Sequence, residues 1–174
     1  MADRKQKLLK RLEEYFKNDE DIEEASIFTA KELGTPMDML RVLVTDYGPG
    51  LMDVLAEFSF LPLEGPDEVW YFATIITIKD GIPEDGVSPL AGAISRLNFY
   101  LPYGEFCINA EGNLLIYKSM TALRADHDDD ILYDDIELAA NAALLAAEGY
   151  TDLLIRVSDG RMLLNDFIDT LPQT

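Results

Sequence analysis

The sequence predicts an α+β domain: a five-stranded antiparallel sheet with helices packed on it, in the order α-βββ-α-ββ-α plus a helical tail. Three observations carry this. Apolar residues alternate in short runs, and turn clusters too short for parallel crossovers join the runs into hairpins. Stripes of helical period separate one group of runs from the next. The chain has 174 residues, one domain's worth, with no repeat and no long linker. It therefore reads as a single domain, 1–174, with a core at about 5–150 and a helical extension at 151–170.

The first helix covers residues 3–18, where Leu8, Leu9, Leu12, Tyr15 and Phe16 form one stripe. The stretch 20–36 fits neither period, and Gly34-Thr35-Pro36 closes it. Leu40, Val42 and Val44 alternate with polar or mixed neighbours, Tyr47-Gly48-Pro49-Gly50 turns the chain, and Val54, Ala56, Phe58 and Phe60 alternate again. Pro62 and Gly65-Pro66 break that strand. The run 69–78 is aromatic and β-branched with both faces largely apolar. It suits a central strand covered on both sides, or one covered on one side by a second subunit.

After a loop at 79–86, Ser88-Pro89 reads as an N-cap and first helical residue. Leu90, Ile94, Leu97 and Leu101 then recur at helical spacing until Pro102 and Gly104. Small residues Ala91, Gly92, Ala93 and Ser95 leave this helix thin enough for another backbone to approach. A second hairpin joins 105–109 to 114–123 through Ala110-Glu111-Gly112, with Gly112 free to take a positive φ. A long helix follows the acidic run at 126–130. Its stripe is Leu132, Ile136, Ala139, Ala140, Ala143, Leu144 and Ala147, with Gly149 as C-cap. One or two short helices at 151–170 complete the chain.

Thirty-three acidic residues against 14 basic ones give a net charge of −19. Such a surface is a poor partner for nucleic acid, and for an anionic membrane. It attracts cationic or mixed-charge protein segments, chiefly by speeding encounter, or it serves solubility alone. Six of the basic residues fall in the first 17, so the first helix can dock on an acidic body, its own or a twin subunit's, or can be a solvated face. No apolar run of signal-peptide or spanning length is visible, which makes cytoplasmic residence the expectation.

Asp126, Asp128, Asp130, Asp134 and Glu137 fall at positions 1, 3, 5, 9 and 12 of a calcium loop. Ile131 stands where that loop needs glycine, and a strand precedes it where an entering helix belongs. The other reading is a helix N-terminus loaded with carboxylates. His127 is the only histidine and Cys107 the only cysteine, so neither a disulfide nor a structural zinc site can be built from this chain alone. No nucleophile motif accompanies His127, and Cys107 sits in a strand as a small apolar residue. Neither phosphate-binding fingerprint occurs, so no cofactor is expected. Trp70, Tyr71 and Phe72 are either a binding surface or core.

The segment Ile94-Ser95-Arg96-Leu97-Asn98-Phe99-Tyr100-Leu101-Pro102-Tyr103-Gly104-Glu105-Phe106, running on to Glu111-Gly112-Asn113-Leu114-Leu115-Ile116-Tyr117, resembles the helix-to-hairpin core of the YbjN-like bacterial proteins. These share the type III secretion chaperone fold, and the element order above is similar to theirs over roughly residues 5–150. The resemblance implies a small acidic homodimer without catalysis. Its dimer or partner surface would be built from Leu90, Ala91, Ile94, Leu97, Asn98 and Leu101 of the middle helix, with Trp70 and Phe72 on the neighbouring strand. It also implies that an extended client segment is held on hydrophobic patches, partly as an added strand. The stretch 20–36 and the tail after Gly149 depart from that pattern, and the tail can cover the client surface.

The expectation is thus a non-enzymatic, chaperone-like module holding a peptide segment of a partner protein. Alternatives are a regulatory protein that binds a folded partner in a sensory pathway, an enzyme working through paired carboxylates, and a calcium sensor.

Overall fold

The structure, a computed structural model, describes residues 2–63, 68–109, 111 and 113–172. The expected break at Gly65-Pro66 and the expected turn residues Ala110 and Gly112 lie outside them. The elements run α1 (Ala2–Phe16), β1 (Ile22–Phe28), α2 (Ala30–Leu33), β2 (Met39–Tyr47), β3 (Met52–Phe60), β4 (Val69–Asp80), α3 (Glu84–Leu97), β5 (Glu105–Ile108), β6 (Leu114–Arg124), α4 (Asp129–Ser158) and α5 (Leu164–Thr170). The class is α+β, and the sheet is antiparallel throughout, with six strands in place of the expected five, in the order β1-β2-β3-β4-β6-β5.

The sixth strand is β1, from the stretch that fitted neither period. A register shift between Ile22 and Glu24 puts Ile22, Ala25 and Ile27 on one face despite their uneven spacing. The chain then turns through α2, where Thr29 and Glu32 cap each other reciprocally, and ends it on Gly34 in the left-handed conformation.

All larger helices lie on one face of the sheet. From α1, Leu8, Leu9, Leu12 and Phe16 enter the core, and Phe16 stacks on Phe58 at 5.3 Å. Leu40, Val42, Val54, Ala56, Phe58, Phe72, Ile76, Leu115 and Tyr117 meet them from the sheet. Burying side chains of this size is worth about 1.5–3 kcal/mol each before the entropy of ordering them is set against it. Helix α4 crosses the same face on a spine of Ala139, Ala140, Ala143 and Ala147, whose small side chains let it lie close.

Three helix boundaries differ from expectation, the first being that α3 ends at Leu97 with Asn98 as its C-cap, so Leu101 lies beyond the helix. Helix α3 begins at Glu84, so Ser88-Pro89 lies inside it, where Pro89 removes one backbone bond near the second turn. Gly86 fixes this earlier start: a Cβ there would overlap the Ser158 carbonyl oxygen, so only glycine lets α3 seat against α4. Helix α4 runs straight through Gly149 to Ser158, because Thr151, Leu154, Ile155 and Val157 continue its buried stripe. The propensity cost of one glycine, about 1 kcal/mol, is outweighed by that burial.

Candidate functional site

The middle-helix residues expected to face a partner are mostly spent inside the chain. Leu90, Ile94 and Leu97 are buried, as are Trp70 and Phe72. Ala91 is exposed, and Asn98 and Leu101 are half-buried. What approaches the thin surface of α3 is α5: Leu164 lies over Gly92, and Phe167 is fully buried beside it. The helical tail thus covers this face of α3. Trp70 is roofed by α1, with the Lys5 ammonium 5.1 Å and the Arg4 guanidinium 5.3 Å from its ring centre. Burial holds the Lys5 pKa below its ordinary value.

Asn98 does structural work at a sheet edge. Its amide nitrogen donates to the Phe106 carbonyl and its oxygen accepts from the Phe106 N–H, both at 2.9 Å. A side chain thereby supplies what a neighbouring strand would, and β5 is closed to one at that residue.

The acidic run is consumed locally. Asp128 caps α4 by accepting from the Ile131 N–H at 3.0 Å. Asp129 pairs with Arg4, Asp130 with Arg11, and Asp126 with Arg124 at 2.7 Å. Arg4 also donates to the carbonyls of Ala125 and His127. The basic first helix therefore docks on the acidic start of α4 in its own chain. The Arg124 guanidinium holds the Asp126 carboxyl below the usual range. Among the described residues, no group of three or more His, Cys, Asp or Glu side chains is arranged to hold a metal ion. His127 is half-buried, and its Nδ1 has no hydrogen-bond partner among the described residues.

One stretch of sheet edge stays bare. The β1 edge carries a bulge and exposed Glu23 and Glu24, both features that discourage strand addition. The β5 edge is clamped by Asn98. At Gly104 (φ +68°), however, the chain leaves the sheet, and β5 pairs only with Leu115–Lys118 of β6. Residues 119–124 of β6 therefore have β4 on one side and, among the described residues, no strand on the other. Tyr103 closes the near end of this gap, its hydroxyl 2.6 Å from Thr121 Oγ1.

A groove lies on each side of that edge. One, about 490 Å³, is lined on the open face by Leu61, Ala73, Ile75, Tyr103 and Met120. The other, about 330 Å³, lies against α4 and is lined by Tyr103, Leu123, Asp135, Leu138, Ala139 and Ala142. Met120 is 53% and Leu138 70% exposed, large apolar side chains with no cover of their own. The arrangement offers unpaired strand backbone, an apolar trough for alternate side chains on either face, and a carboxylate at the rim.

The remaining surface is the open face of the sheet, the second face of β4. Three rows of paired residues cross it. Phe28, Met39, Ser59, Ala73 and Met120 form one, and Glu24, Leu43, Leu55, Thr77, Ile116 and Cys107 another. Between them runs Arg41, Glu57, Ile75, Lys118, Glu105, where Arg41 pairs with Glu57 at 2.8 Å and Lys118 with Glu105 at 3.0 Å. Burial pushes the Cys107 thiol pKa up from its ordinary value.

No family model matches the chain, and no curated protein matches its sequence. Among the described residues no helix is long and apolar enough to cross a membrane. The bare edge and its grooves had only an indirect sign in the sequence: Gly104 following Pro102, with the expected strand 105–109 set against the longer 114–123.

Proposed function

We propose that the chain is a non-enzymatic, chaperone-like protein-binding module that holds an extended segment of a partner protein as an added strand on β6. The observation that carries this reading is the bare edge at 119–124 with an apolar groove on each face. Strand addition supplies affinity through main-chain hydrogen bonds, and side chains that alternate between the grooves supply selectivity. Asp135 at the rim and the net charge of −19 favour segments that carry Lys or Arg between their apolar residues. The helix, strands, helix, two strands, helix order and the Leu97-Asn98 to Gly104 segment support kinship with the YbjN-like proteins and the type III secretion chaperone fold. Strand β1 and helix α5 are additions to that pattern.

The test is selection of random peptides on the immobilised chain. Enriched peptides should alternate apolar residues, carry net positive charge, and lose binding at least ~10-fold to Leu138→Asp, which places a carboxylate in the α4-side groove. An absence of enrichment, or enriched peptides indifferent to Leu138→Asp, would overturn the reading. Capture only of folded proteins would favour a regulatory module in its place.

A further inference from the structure

The central row of the open face has an ordered charge pattern. From Arg41 across to Glu105 it reads plus, minus, neutral, plus, minus, with Ile75 at the centre. Reversed about Ile75, every charge falls on its opposite. The row on the Thr77 side behaves likewise in apolar terms: about Thr77, Leu55 exchanges with Ile116 and Leu43 with Cys107.

We infer that the open face binds a second copy of this chain, sheet against sheet, about a two-fold axis running along β4 past Ile75. That operation sets Glu57 opposite Lys118 of the second copy and Arg41 opposite its Glu105, twice each. The other two-fold that brings the faces together, running across the strands, sets each of these charges on its own like. Charge therefore selects one geometry and rejects the other. The axis along β4 also keeps the strands of the two sheets nearly aligned, as packed sheets require.

Two further observations favour a twin over other partners. The four charges of this row cancel within the patch, so a chain of net charge −19 can meet its like there without local repulsion. About this axis the five strands β2, β3, β4, β6 and β5 face their counterparts and β1 falls outside the overlap; at about 4.8 Å apart, over a strand length of about 25 Å, they give a patch of about 600 Å² per copy. Two such patches bury about 1,200 Å², the lower bound of a stable specific interface. In this dimer the second copy covers the open-face groove at Ile75 and Met120, while the bare backbone of β6 and its α4-side groove stay uncovered, so a segment bound to the dimer reaches the α4-side groove alone.

The experiment is the solution mass of the full chain by light scattering and sedimentation at about 10–100 μM, with circular dichroism to confirm folding. The wild-type chain should show twice its 19.5 kDa mass. Glu57→Lys alone and Lys118→Glu alone each place like charges opposite one another twice, and each should weaken dimerisation at least ~100-fold. Mixed one to one, the two variants set opposite charges together at all four places, and the mixture should dimerise. A monomeric wild type at 100 μM, single variants that dimerise as well as wild type, or a mixture that stays monomeric would each overturn the inference. Peptide binding that is indifferent to Leu138→Asp while these masses hold as expected would count against the edge reading alone.

Discussion

Replacing Gly104 with alanine tests the turn that makes the β6 edge bare. The residue holds φ at +68°, which costs an L-residue about 1–2 kcal/mol. A Cβ built there would overlap the Tyr117 ring at Oη and Cζ and lie 2.8 Å from the Lys118 carbonyl oxygen. Tyr117 is fully buried, and its hydroxyl donates to the Tyr103 carbonyl at 2.7 Å, so it has little room to retreat. Overpacking of this kind adds about 1–3 kcal/mol, for a total of about 2–5 kcal/mol. Gly81 is the matched control: its φ is +71°, but a Cβ there meets nothing within 4 Å, so Gly81→Ala carries the backbone cost alone. Urea unfolding of both variants separates the two terms. With about 2–4 °C of melting shift per kcal/mol in a chain of this size, Gly104→Ala should melt about 5–15 °C lower. Equal losses in the two variants, within about 0.5 kcal/mol, would refute the steric argument.

Gly149→Ala should stabilise the chain by about 0.5–1 kcal/mol in urea unfolding, since the position is helical, exposed, and open around a new Cβ. Asn98→Ala removes both bonds to Phe106 and should cost about 2–4 kcal/mol, with faster amide exchange across β5. Asp159 pairs with Lys79 and, at 2.9 Å, with Arg161, and these hold its carboxyl below the usual range. A depressed carboxyl stabilises the fold above its unfolded pKa of about 3.9 and loses that contribution as pH falls through the folded value. Asp159→Asn should therefore cost up to about 1 kcal/mol at pH 7 and converge on wild type below about pH 3, read from urea midpoints at the two pH values.

The strands whose alternation is unbroken, β2, β3 and β6, were legible because each carries one buried and one mixed face. The apolar second face of β4 was legible too, and it is the centre of the open face. Strand β1 was not, because its bulge moves the apolar set from one parity to the other between Ile22 and Ala25. Gly149 and Pro89 misled for a shared reason: burial on either side outweighs a local breaker. The middle helix was placed correctly as amphipathic, but its pattern does not say whether a second subunit or the chain's own α4 and α5 cover it. The bare edge depends on where two strands of unequal length part company, a tertiary property that local periodicity does not encode.

Amide hydrogen exchange with a peptide selected on the chain addresses the edge most directly. Strand addition requires the edge-facing amides of 119–124 to slow at least ~10-fold on binding, while those of β1 stay unchanged. Protection at β1, or binding that leaves 119–124 exchanging as before, would contradict the account.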